Sequence, residues 1–261
     1  MDLQLRGKTA LVAGATGDIG RAVARGLAAE GVRVVIAARD RERLEAVGRE
    51  LGKQLAGTVV VDFASEDSIQ SAVAEAWSLT GGVDIAVCTV VSNTFGTVWD
   101  LARKDWEDLF RVKYMGTVDF ARTIARRMVG RRTGVIINFI GIATEVLYPT
   151  NPAGGDANLA AARFTRFLAA KVATAGVRVL GVSPGFVDGR RLSTFLDAEK
   201  ANLAAGIPLG RIGTPEEMAD LVTFMASPRA GYMTGNIVEL DGGVSLHTPP
   251  GKPVQPDLPV K

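Results

Sequence analysis

The segment from Lys8 to Arg21, KTALVAGATGDIGR, constrains the fold of this chain more than any other: an apolar run enters a glycine turn and leaves in a helical pattern. Thr9 to Ala13 shows no alternation of apolar and polar residues, the pattern of a parallel strand covered on both faces. Gly14, Gly17 and Gly20 make the turn. Glycine permits backbone conformations that a Cβ forbids and lets the chain approach a phosphate, while the amides opening the next helix point at that anion. Arg21 to Leu27 continues at helical spacing, so strand, turn and helix follow in the order of a dinucleotide site.

The remainder repeats the alternation. Strands are predicted at Val32–Ala37, Gly57–Val61, Val83–Val87, Gly134–Ile140, Val177–Val182 and Asn236–Leu240. Helices are predicted at Arg41–Leu51, Ser65–Ala76 with Ser65 as cap, Asp105–Met128, Asn158–Ala175 and Pro215–Met225 after a Thr214 cap. This pattern predicts an α/β chain with a three-layer, doubly wound Rossmann fold and a mainly parallel sheet of about seven strands. No Pro/Gly/Ser-rich linker divides the chain, so residues 1–247 are expected to form a single domain. Residues 248–261 form a proline-rich tail in which Pro249, Pro250, Pro253, Pro256 and Pro259 stand too close together for helix or inner strand.

Composition narrows the chemistry. Thirty Lys and Arg against twenty-eight Asp and Glu give a net charge of +2, with both signs interspersed, which argues for neither nucleic acid nor membrane as partner. Arg122, Arg126, Arg127, Arg131 and Arg132 fall at helical spacing near a helix end, as a solvated face does. Cys88 is the only cysteine and His247 the only histidine, which excludes an internal disulfide and sets aside a zinc site or histidine triad. Without a signal peptide or an apolar run of spanning length, the expected location is the cytoplasm.

GKTALVAGATGDIGRAVA, the aspartate ending strand three, VRVLGVSPG and GYMTGNIVELDGG, in this order, resemble a classical short-chain dehydrogenase/reductase over roughly residues 5 to 245. The resemblance implies a nucleotide site at Gly14, Gly17, Asp18, Ile19 and Gly20, with Arg39 placed for the 2′-phosphate of NADP(H) and Asp62 for the adenine. Asp18 replaces the family's second turn glycine. It is expected to cap the helix and to weaken NADP(H) binding, since repulsion at about 4 Å and an effective dielectric near 20 reaches roughly 4 kcal/mol per charge pair. After strand four the family's Asn-Asn-Ala-Gly reads Cys88, Thr89, Val90, Val91, with Cys88 a packed small hydrophobe. Gly189 stands where the family's threonine holds the nicotinamide carboxamide.

In the family a tyrosine, a lysine four residues later, a serine thirteen residues earlier and a helix asparagine exchange the proton. The matching positions here are Gly154, Asn158, Gly141 and Lys113. Loss of general acid–base help costs about 10²- to 10⁴-fold in rate. The expectation is therefore a non-catalytic subunit, a homo-oligomer or a hetero-oligomer with an active family member, associating through the helices near 105–128 and 158–175 and the region 215–243. The alternative is an NADP(H)-dependent oxidoreductase, or a hydride-free catalyst, that uses relocated groups. Candidates for those groups are Tyr148, Tyr114, Glu145 and Asp156, with Tyr148 read as a surface or interface aromatic.

Overall fold

Seven parallel strands build the centre of the molecule: β1 (Thr9–Ala13), β2 (Arg33–Ala38), β3 (Leu55–Val60), β4 (Ile85–Cys88), β5 (Gly134–Phe139), β6 (Val177–Pro184) and β7 (Ile237–Leu240), in the order β3-β2-β1-β4-β5-β6-β7. Every neighbouring pair is parallel. The computed structural model describes residues 1–92, 94–144, 146–190, 192–193 and 196–246; Glu145, His247 and the proline-rich tail lie outside the described residues.

The helices α1 (Asp18–Ala29), α2 (Arg41–Leu51), α3 (Glu66–Thr80), α4 (Arg103–Phe110), α5 (Gly116–Arg131), α6 (Pro152–Val172), α7 (Asp197–Ala205) and α8 (Pro215–Ala226) complete the fold. Strand side chains alternate between faces, and both faces are buried across β1, β2, β4, β5 and β6, while the edge strands β3 and β7 are mostly half-buried. On one, Val12 and Ile36 meet Val23 and Leu27 of α1, Leu44 of α2 and Val222 of α8. On the other, Leu11 and Val35 meet Ile69 and Val73 of α3, Ile124 and Met128 of α5 and Val172 of α6. The chain crosses from β3 at one side to β4 on the far side of β1, so connections from β1 and β4 depart in opposite directions. The crevice at the carboxyl ends of these two strands is the topological switch point where such sheets take ligands.

Local differences from expectation have identifiable causes. Ser65 and Thr214 cap their helices, accepting the amides of Ser68 at 3.2 Å and Glu217 at 3.2 Å. Asp18 does not: α1 begins at Asp18 after Gly17, with no side-chain cap bond. The long helical run near 105–128 is interrupted by a π-helical stretch, Arg111–Met115, which adds a residue to one turn. Helix α6 starts six residues before the predicted Asn158, with Pro152 in the first turn, where its missing N–H is harmless, so Gly154 and Gly155 lie inside the helix. Helix α7 has no fully buried residue, and the sequence offered no apolar stripe to reveal it. The arginines of α5 are not simply solvated: Arg127 and Arg131 stack over Trp77 at 5.5 and 5.6 Å, and Arg122 pairs with Glu66 at 2.8 Å.

Candidate active site

The glycine turn lies at the switch point. Gly14 has φ +82°, and a Cβ there would stand 2.6 Å from Thr89 Oγ1; a Cβ on Gly20 would stand 2.3 Å from the Gly14 carbonyl. Both positions therefore require glycine, and helix α1 packs directly on the turn. Thr89 supports this packing, donating its hydroxyl to the Ala13 carbonyl at 2.9 Å at the end of β1. The exchange of the family's asparagine for Thr89 thus retains a polar tie.

At the end expected to take the adenosine, Arg39 and Asp40 are exposed beyond β2. Asp40 caps α2 by accepting the Arg43 amide at 3.0 Å, which turns Arg43 back over the glycine turn to donate to the Thr16 carbonyl at 2.9 Å. Arg43 is a second cation at this end that sequence reading missed; its signal was the cap at Asp40, which fixes the direction of the third residue of the helix. Asp62, exposed beyond β3, accepts the Ala64 amide at 3.0 Å. Ile19 packs partly buried against the core beneath the turn.

Asp18, with no cap to make, turns to the loop after β6. Its Oδ2 accepts the Arg190 amide at 2.9 Å and its Oδ1 accepts Arg190 Nε at 3.2 Å, while Arg190 Nη2 donates to the Thr16 carbonyl. Arg190 was not identified from the sequence, and a partner 172 residues away leaves no local signal.

Of the four positions matched to the family's proton-handling residues, Gly141, Asn158 and Lys113 come together around the end of β5, whereas the contact at Gly154 is to Asn151. The backbone at Gly141 has φ +126°, and a Cβ there would stand 2.8 Å from Asn158 Nδ2. Asn158 is buried, and its Oδ1 has no hydrogen-bond partner among the described residues. A Cβ at Gly154 would meet Asn151 Oδ1 at 2.1 Å, so Asn151 fills the space at that turn of α6. Lys113, buried on the π-helical stretch, donates Nζ to the Phe139 carbonyl at 2.8 Å. Thr117 Oγ1 in turn donates to the Lys113 carbonyl at 2.7 Å. Cys88, 3.9 Å from Thr117, is buried, and burial pushes its thiol pKa up, as befits a packed small residue.

Of the relocated candidates, Tyr148, expected as a surface or interface aromatic, is half-buried. Its ring meets Phe186 edge-on at 5.7 Å within a cluster that includes Ile142, Ile207 and Val244, because the loop after β5 folds over apolar neighbours. The Tyr148 hydroxyl is buried without a partner among the described residues, and burial, followed by the Asp241 carboxylate, pushes its pKa up. It remains a neutral phenol near pH 7. Tyr114 packs on α6 beside Ala157 and Ala161, and Asp156 is exposed. Among the described residues no three His, Cys, Asp or Glu gather to hold a metal, and no helix is long and apolar enough to cross a membrane.

A wholly parallel, doubly wound sheet with its glycine turn at the switch point defines a protein of the dinucleotide-binding α/β class. The family model described as enoyl-(acyl carrier protein) reductase matches residues 14–245. A 3-oxoacyl-(acyl-carrier-protein) reductase of Aquifex aeolicus is 34% identical, with 94% of this chain and 100% of the relative covered, and the Escherichia coli protein of that name is 31% identical over 94% and 100%. Among solved structures, a gluconate 5-dehydrogenase from Burkholderia cenocepacia in complex with NADP and tartrate superposes with a TM-score of 0.89 at 27% identity, covering 95% of this chain and 98% of that one. A short chain dehydrogenase/reductase family protein gives 0.83 at 35% identity, covering 94% and 100%. The chain belongs to the short-chain dehydrogenase/reductase family.

These relatives, matched from end to end, carry reductase names, and that overturns the expectation of a non-catalytic subunit serving an active family member. The oxidoreductase alternative is the better supported. A weakened NADP(H) site is likewise unsupported: a structural neighbour holds NADP, and the Asp18 charge that motivated the idea is paired with Arg190.

Proposed function

We propose that the chain is an NADP(H)-dependent oxidoreductase in which Lys113 and Asn158 handle the substrate oxygen. The observation that carries this reading is the dinucleotide cradle: Gly14 and Gly20 are places where a Cβ would collide, and Arg39, Arg43 and Asp62 stand at the adenosine end of the same crevice. Bound there, the nicotinamide supplies or accepts a hydride. Arg39 and Arg43 bring guanidinium groups to a 2′-phosphate. Lys113 Nζ donates to the Phe139 carbonyl, and that bond orients the amine. We assign to it the proton that the reduced oxygen takes up. The Asn158 carboxamide, facing the space at Gly141, holds that oxygen in place of a serine hydroxyl.

The names of the relatives make a 3-oxoacyl thioester the first substrate class to test. Ile142, Val146, Tyr148, Phe186, Ile207 and Ile212 pack together beside the loops after β5 and β6, an apolar wall suited to an acyl chain. The test pairs NADPH fluorescence titration with NADPH oxidation by a 3-oxoacyl thioester, in wild type and Lys113→Met. The variant is expected to bind NADPH within about threefold of wild type and to lose about 10²- to 10⁴-fold in turnover. Undiminished turnover would remove Lys113 from the chemistry. Absence of NADPH binding to the wild type would overturn the whole reading.

We also infer that the chain self-associates through the outer face of α6. Leu159 and Phe167 are 51% and 63% exposed there, and Arg163 lies 5.1 Å from the Phe167 ring.

A further inference from the structure

The proposed nucleotide site, on whose reading this section rests, contains a carboxylate where a diphosphate has to lie. Asp18 opens α1, so its charge occupies the end of the helix that attracts anions. The structure shows what accompanies it. Arg190 gives Asp18 both a backbone amide at 2.9 Å and its Nε at 3.2 Å, and ties itself to the Thr16 carbonyl of the glycine turn. The residue before Arg190 is Gly189, with φ +150°, and a Cβ at that position would stand 2.6 Å from Asp18 Oδ2. A side chain at 189 would therefore have to displace the Asp18 carboxylate from its bonds to Arg190.

We propose that Arg190 is a determinant of nucleotide affinity: its guanidinium cancels the charge of Asp18, so that the turn accepts a dinucleotide's diphosphate. Asp18, Gly189 and Arg190 then constitute one coupled exchange. A carboxylate enters the turn, the neighbouring loop gives up a side chain to admit it, and the next residue neutralises it. Arg190 acts through Asp18, which makes it a positioning and charge-compensating residue, and the two must be tested together. Removing the arginine leaves an uncompensated anion facing a second anion, whereas removing both leaves the neutral glycine turn of the family pattern.

The experiment is NADPH titration by fluorescence, at fixed salt, with wild type, Asp18→Gly, Arg190→Ala and the double variant. Arg190→Ala is expected to weaken binding by about tenfold or more, Asp18→Gly to bind at least as tightly as wild type, and the double variant to return to within about threefold of wild type. Rescue by the second substitution separates charge compensation from a merely structural role, because losing the loop's anchor twice would not restore affinity. Wild-type affinity in Arg190→Ala, or a double variant as weak as Arg190→Ala, overturns the assignment while leaving the nucleotide reading intact. A wild type that binds no NADPH overturns the nucleotide reading itself, and this assignment with it.

Discussion

Gly141 and Asn158 occupy each other's space, so a side chain at 141 is not readily accommodated. A Cβ at 141 would meet Asn158 Nδ2 at 2.8 Å, on a backbone with φ +126° that L side chains rarely adopt. Gly141→Ser is expected to destabilise the fold by about 1–3 kcal/mol, measured as a shift in denaturant midpoint at unchanged m. It should not raise turnover. Counting thirteen and seventeen residues from Gly141 gives Gly154 and Asn158, and the fold brings Asn158 against Gly141. The same counting could not show that Asn151 fills the place beside Gly154, nor that Asp18 has a partner on another loop. Those contacts depend on loop paths that no periodicity records.

Helix ends were the most legible elements, because a cap is written within four residues. Thr214 and Glu217 form a reciprocal capping box at α8, and Arg211 Nη1 adds a bond to Glu217 Oε2 at 2.9 Å. The Arg211 guanidinium, followed by the Thr214 amide, lowers the Glu217 pKa to about 2. A carboxyl depressed on folding stabilises the native state above its unfolded pKa, about 4.3, and loses that contribution as pH falls toward the folded value. Exposure and ionic screening keep the share small. Glu217→Gln should therefore remove part of the decline in stability between about pH 4.3 and about pH 2, followed by urea unfolding across that window. Thr214→Ala should cost about 1 kcal/mol at neutral pH. The π-helical turn at Arg111–Met115 was illegible, since helical periodicity does not record a single widened turn. Yet that turn carries Lys113 to β5.

At the scale of the molecule, strand runs without alternation, separated by helices, specified a sheet buried on both sides, and all seven strands stand where such runs occur. What the chain does was harder to read, because the expectation weighed four positions, Lys113, Gly141, Gly154 and Asn158, above a scaffold that matches reductases throughout. The outer face of α6 gives a prediction at this scale. Leu159→Glu combined with Phe167→Glu should shift the chain to monomer in light scattering, while a wild type already monomeric at working concentration would dismiss self-association through this face. The Thr16 carbonyl has a wider consequence. Arg43, from the helix after β2, and Arg190, from the loop after β6, converge on that single oxygen, so the two flanks of the crevice share a hinge pin. Retuning nucleotide preference on the β2 flank will therefore be felt in the hydrogen-exchange protection of the β6 flank.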